Sequence, residues 1–233
     1  MRSQTVLIPV EFPDPDPLPS TFVDGLTSCK VVLLGVYELP PDVDPNDRQR
    51  NEIEAYNTLY TLADQFVQRG GTADVELVMG EAVGDAPTTV AEDRDVDALL
   101  VPNPTTTLGR VLVALRREKF REPVTDLVSA LDEDVLLHTT LFHVADSEDD
   151  TEAGHEMLTT VRDDLVEKGF PRTRVDAEVV VSDDPSFEVS QAMADYDLLV
   201  MGETQESPYE RVFGKTYESI AEQTKQPIVV VRE

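Results

Sequence analysis

Short apolar runs alternate with longer amphipathic stretches along the whole chain. Residues 6–10, 30–39, 75–79 and 97–101 are strand-sized, and the same succession returns at 111–115, 135–144, 175–181 and 197–202 before a last run at 228–231. Between them the spacing changes to that of helices. Ile53, Tyr56, Leu59, Tyr60, Ala63, Phe66 and Val67 recur along a helix predicted for 46–68, capped by Asn46 or Asp47 and ended by Gly70-Gly71. Val124, Leu127, Val128 and Leu131 mark a second helix. Leu158, Val161 and Leu165 mark a third, which stops at Gly169. Asp184-Pro185 is a cap followed by proline at the first helical position, and Tyr217, Ile220, Ala221 and Thr224 mark a last helix. The run Pro13-Asp-Pro-Asp-Pro-Leu-Pro19 excludes a regular helix, so the first helix is short and starts near Ser20.

Strands alternating with such helices predict parallel sheets covered on both faces. Asp97-Ala-Leu-Leu-Val aligns with Asp197-Leu-Leu-Val-Met, and Val6-Leu-Ile-Pro-Val aligns with Val111-Leu-Val-Ala-Leu, an internal repeat with a period of about a hundred residues. The expected domains are 1–107 and 108–233. They are unequal: after Val101 the chain runs through Pro102-Asn-Pro-Thr-Thr-Thr107 into the next repeat, leaving no room for a helix and fifth strand. An unpaired apolar strand at 97–101 needs a cover, from the other half or from a second subunit.

Charge alters this picture: 47 acidic residues against 19 basic give a formal net charge of −28. Such a surface repels nucleic acid and anionic lipid, which excludes both as expected partners. It suits a folded protein of a salt-rich, cytoplasmic setting, where screening lengths fall to about 3 Å at 1 M. No apolar run approaches the roughly 18 residues of a membrane helix, and 6–10 is too short for a secretory signal. The single cysteine, Cys29, excludes an intramolecular disulfide and reads as a small core or edge residue.

Candidate chemistry concentrates near the end of the chain. Gly202 closes a strand, and Gly214-Lys215-Thr216 precedes the last helix, where unpaired N–H groups, the Lys215 ammonium and the Thr216 hydroxyl can hold a phosphate. Arg116 and Arg117 follow the strand at 111–115 and are expected at the same end of the sheet. A Walker A loop is excluded, because Tyr209 stands five positions before Gly214 where a glycine belongs. His138 and His143 point to opposite faces of one strand, and no Cys, His and carboxylate spacing predicts a metal. Ser186 and Ser207 lack a nucleophile elbow, so no catalytic residue is assigned.

The order of elements, with Gly202, Gly214 and the closing Pro227-Ile-Val-Val-Val, resembles the universal stress protein domain. The resemblance covers nearly the whole chain as a tandem pair, the first copy truncated after its fourth strand. It implies two doubly wound, Rossmann-like α/β units of the adenine nucleotide alpha hydrolase-like type. One branch of that family binds ATP through a glycine, two residues, a glycine, nine residues, then glycine and a hydroxyl residue. Here Gln205 stands at the second glycine and Gly214 comes one residue early. The resemblance thus implies a non-enzymatic stress-response or regulatory module with no cofactor, acting through a protein partner or by dimerisation. The expected contacts are a homodimer through the terminal strand 228–231 or a pseudo-dimer of the two halves. The alternative is a sensor binding ATP or a relative at Gly202, Gly214, Lys215, Thr216 and Arg116. An enzyme of the wider adenine-nucleotide folds is a third reading and lacks a catalytic constellation.

Overall fold

The computed structural model describes residues 3–101, 107–132, 134–202 and 226–232. The strands are β1 (Thr5–Phe12), β2 (Lys30–Glu38), β3 (Thr72–Gly80), β4 (Ala98–Val101), β5 (Arg110–Ala114), β6 (His138–Ala145), β7 (Val175–Val181), β8 (Leu198–Gly202) and β9 (Ile228–Val231). The helices are α1 (Ser20–Gly25), α2 (Pro45–Gln68), α3 (Ala86–Asp93), α4 (Arg121–Ala130), α5 (Thr151–Glu167) and α6 (Pro185–Ala192). Among the described residues, nine strands form one sheet in the order β3-β2-β1-β4-β9-β8-β5-β6-β7.

The repeat is visible in the hydrogen-bond register. Val6 lies opposite Ala98 and Leu7 opposite Leu99, while Val111 lies opposite Leu198 and Leu112 opposite Leu199. An aspartate sits before the inner strand of each set. Asp97 accepts the Thr5 N–H at 2.7 Å; Asp197 accepts those of Gly109 and Arg110 at 3.0 and 2.8 Å, and the Thr107 hydroxyl at 2.8 Å. These carboxylates satisfy backbone donors that would otherwise be left at the strand entrance. Lys30 meets Asp74 at 2.9 Å across β2 and β3, and His138 meets Asp176 at 3.2 Å at the equivalent place across β6 and β7.

Helix ends repeat as well. Gly70 and Gly169 adopt φ of +86° and +105°, where a side chain would be strained, and end α2 and α5 in the same way. Gly70 and Gly71 donate to the carbonyls of Val67 and Phe66, and Gly169 and Phe170 to those of Val166 and Leu165. The start of α2 differs from expectation: Asp44 caps it by accepting the Asn46 N–H at 2.8 Å. Pro45 pre-sets the first helical residue, so the helix opens ahead of its apolar pattern. Helix α3, too short to show a periodicity, was not anticipated.

One face of the sheet carries a continuous apolar core under α1, α2, α4 and α5, with Phe22, Leu59, Phe66, Leu127, Leu158 and Val161 buried against Val6, Ile8, Val113 and Val200. Among the described residues the opposite face holds two clusters, one with Val90 and Ala91 of α3 and one with Val189 of α6. Each fully buried aliphatic side chain contributes about 1.5–3 kcal/mol. The two strand sets meet where β4 pairs with β9, Leu99 opposite Val230 and Leu100 opposite Val229, the one antiparallel pairing among the described strands. On its other side β9 runs parallel to β8. This corrects the expectation of a homodimer through 228–231, because both edges of that strand are occupied within the chain and neither is left for a second copy. The edge of 97–101 is covered by β9 itself.

Across the same junction Asp132 donates its N–H to the Gly25 carbonyl at 3.0 Å, and the Cys29 thiol lies 3.9 Å from the Ala130 carbonyl oxygen. Burial, reinforced by the Asp97 charge, pushes the Cys29 thiol from 9.0 up to about 12. The folded state therefore keeps its proton while the unfolded thiol ionises, so this contribution to stability is intact below 9.0 and is lost as pH rises toward 12. Thermal melts of the protein and of Cys29→Ala at about pH 8 and 10.5 should show a smaller pH-dependent loss in the variant. Thiol titration of the native protein at pH 8 should find Cys29 unreactive until the chain unfolds.

Candidate functional site

In a doubly wound sheet, ligands bind beyond the strand C-termini where neighbouring strands leave in opposite directions. Here one such point lies between β5 and β8. Ala114 pairs with Met201, which brings Leu115 and Gly202 to the lip of the sheet, followed on one side by Arg116. A second such point lies between β1 and β4, where Glu11 is exposed and Phe12 stacks on Tyr37 at 5.7 Å between ring centroids.

At the β5–β8 lip the chain turns sharply. Leu115 donates its N–H to the Phe142 carbonyl at 2.9 Å, and its own carbonyl lies 2.7 Å from His143 Nδ1. A carbonyl oxygen only accepts, so Nδ1 of His143 carries the proton. The imidazole is seated against α5 at Gly154, where a Cβ would stand 2.6 Å from Cδ2. His143 is thus locked between the end of β5 and a helix, and His138 is held by Asp176. Among the described residues, no group of three or more His, Cys, Asp or Glu could hold a metal.

The exposed residues Arg116 and Arg117 are followed by a helical turn, Glu118–Phe120, that carries Phe120 back into the core. Its ring lies directly on Gly202: a Cβ there would meet Phe120 Cγ at 2.4 Å and Cδ2 at 2.5 Å. Lys119 stands over the outer side of the same ring, 4.6 Å from its centroid. The missing side chain of Gly202 therefore makes room for an aromatic ring. Arg116 reaches the sheet end as expected, and its guanidinium lies 4.0 Å from the Asp146 carboxylate beyond β6. Gly214, Lys215 and Thr216 lie outside the described residues. Phe120 was missed by sequence reasoning. The available signal was a lone aromatic closing the charged run Arg116-Arg-Glu-Lys119, ahead of an apolar helix.

A cavity of about 510 Å³ opens at the opposite, N-terminal end of the strands, lined by Ser28, Ser129, Asp132, Asp134, Lys168 and Phe170 among others. Lys168 is ion-paired with Asp126 there. It is a polar hollow at the junction of α4 and α5 with the turn before β2, away from both switch points.

The family model for the universal stress protein family matches residues 110–232. No curated protein matches the chain. Among solved structures, a universal stress protein from Archaeoglobus fulgidus is 15% identical with a TM-score of 0.67, the alignment covering 98% of this chain and 96% of that one. A protein from Pseudomonas aeruginosa described as a putative universal stress protein is 14% identical over 99% and 94% of the two chains, with a TM-score of 0.57. The cytoplasmic domain of a prokaryotic cation chloride cotransporter is 10% identical over 98% and 95%, with a TM-score of 0.56. At these identities the likeness shows the fold alone.

Replacing Gly202 by Ala should cost about 1–3 kcal/mol by forcing the Phe120 ring aside, a fall of a few degrees in melting temperature, and adding Phe120→Leu should recover part of it. An unchanged melt for Gly202→Ala would mean that the ring does not need this space and that the glycine serves another purpose.

Proposed function

Because the chain belongs to the universal stress protein family, we propose that it is a non-enzymatic stress-response or regulatory module that acts through protein association, its phosphate loop having become degenerate. The observation that carries this reading is the Phe120 ring packed on Gly202, the residue that would have to stay open for a phosphate. Arg116 supports it too, since its guanidinium lies 4.0 Å from the Asp146 carboxylate, with which an anion would have to compete. Gln205 at the second motif glycine points the same way. The acidic surface fits a cytoplasm of molar salt, where self-repulsion of a −28 chain is largely screened. Among the described residues no helix is long and apolar enough to cross a membrane. We assign the halves of the sheet to domains at 1–107 and 108–233, the second supplying β9 to both.

The alternative is an adenine-nucleotide sensor, favoured by the placement of Gly202 and Arg116 at one switch point, with Gly214, Lys215 and Thr216 as the remaining phosphate ligands. Calorimetric titration with ATP, ADP and AMP, with and without Mg²⁺, in about 1 M KCl separates the two. The proposed reading predicts no saturable heat up to about 1 mM ligand, where a site near −4 kcal/mol begins to fill. Saturable binding that Lys215→Ala weakens would overturn it in favour of the sensor, and turnover of the nucleotide would favour an enzyme.

A further inference from the structure

The two edge strands of the sheet, β3 and β7, carry the same pair of carboxylates at matching places. Leu7 lies opposite Val32 and Val32 opposite Asp74; in the other half Leu112 lies opposite Thr140 and Thr140 opposite Asp176. Two residues further on, Glu76 corresponds to Glu178. The cations that meet them differ. Lys30 lies 2.9 Å from Asp74, and the Arg94 guanidinium reaches both acids, at 3.8 Å from Asp74 and 2.7 Å from Glu76. In the second half His138 takes the place of Lys30, 3.2 Å from Asp176. Arg94 stands three residues before Asp97, and three residues before the matching Asp197 the chain has an exposed alanine, Ala194. Among the described residues no guanidinium reaches Asp176 or Glu178, and both acids are exposed.

Two exposed carboxylates alone are a solvated surface, but here the other half shows what such a pair holds. Arg94 seats its planar fork of N–H donors between Asp74 and Glu76, a match that an ammonium does not reproduce. Lys30 shares Asp74 with Arg94, so His138 likewise leaves Asp176 able to accept a second donor. The strand itself supplies the rest of the recognition. β7 ends the sheet, and among the described residues no strand pairs with its outer backbone groups, to which an extended segment can add. Its side chains alternate, with Asp176 and Glu178 on the face of Val180 and Ala177, Val179 and Val181 on the other, where Val181 remains 46% exposed. β3 offers a similar backbone edge, but its acids are already held by Lys30 and Arg94.

We propose that β7 is the docking edge for an extended segment of a partner protein that alternates arginine with β-branched apolar residues. Its guanidinium groups meet Asp176 and Glu178, as Arg94 meets the equivalent pair, and its apolar side chains lie along Ala177, Val179 and Val181. This rests on the reading that the protein acts through association, and it names the partner's chemistry. The contact adds a strand at the outer end of the sheet and leaves the join of β4 with β9 untouched.

Calorimetric titration of the full chain with the peptide acetyl-Thr-Val-Arg-Val-Arg-Val-Thr-amide in about 0.5 M KCl tests this. At that ionic strength contact pairs survive, while the distant attraction of a −28 chain for any cation is screened. The expected result is saturable binding below about 1 mM, with protection from hydrogen exchange gained by the β7 amides and not by those of β3. Glu178→Gln should weaken binding about three- to tenfold, and Glu76→Gln should leave it unchanged. Ala194→Arg, which reproduces the Arg94 arrangement at an exposed position, should weaken it about tenfold with an unchanged melting curve. Absence of saturable binding overturns the proposal. So does binding that Ala194→Arg leaves intact, that Glu178→Gln and Glu76→Gln weaken alike, that lysines in place of the peptide's arginines match, or that leaves the β7 amides unprotected. Nucleotide binding in the separate titration would overturn the module reading whatever the peptide does, and a silent peptide would remove this edge while leaving that reading in place.

Discussion

An apolar strand cannot leave its backbone edge in water without inviting another chain to pair with it. The first half of this protein ends at such an edge, because among the described residues no fifth strand stands between β4 and β5. β9 meets that constraint by pairing parallel to β8 on one side and antiparallel to β4 on the other. Four residues thereby join two parallel sheets into one. The buried residues Leu99, Leu100, Val229 and Val230 lie at this join, and the main-chain bond from Arg232 to the Asp97 carbonyl continues it. The continuous core under α1, α2, α4 and α5 depends on it, since only with the strands in register do both sets of helices share one apolar surface.

The equivalences between the sets show which features serve the fold and which have diverged. Aspartates at the strand entrances, the glycine helix ends and the cross-strand pairs at Asp74 and Asp176 recur, and each answers a local requirement for a satisfied donor or a left-handed turn. The switch points differ. One carries Glu11 and a Phe12–Tyr37 stack; the other carries Arg116 and a Phe120 ring seated on Gly202. Among the described residues an aromatic side chain stands at each lip, where folds of this kind usually bind ligands.

Much of the fold was legible in the sequence, because strand and helix periods and Gly or Pro punctuation act locally. The 97/197 and 6/111 alignments hold in the register of β1 with β4 and of β5 with β8. The shortness of the segment after Val101 announced an uncovered edge. What covers it was not legible, since Ile228-Val-Val-Val suits either a parallel or an antiparallel neighbour and pairing is decided between residues more than a hundred apart. The candidate site was less legible. Gly202 has the same letter whether it admits a phosphate or a phenyl ring, and only the return of Phe120 through the turn at Glu118 distinguishes them. For His143 the sequence showed only that it faces away from His138 along one strand, while its bond to the Leu115 carbonyl and its seat on Gly154 arise from three separate elements.

A protein whose two halves share a strand should behave as a single cooperative unit. That cooperativity is the central physical claim. Native-state hydrogen exchange in about 1 M KCl measures it directly, because amides of one cooperative unit open together. The account predicts that the amides of β4 and β9 exchange as slowly as those of β1 and β5, with the edge strands β3 and β7 opening first. Exchange of β4 amides while β8 stays protected would show that the halves open independently, and would contradict the shared strand as the element that holds the structure together.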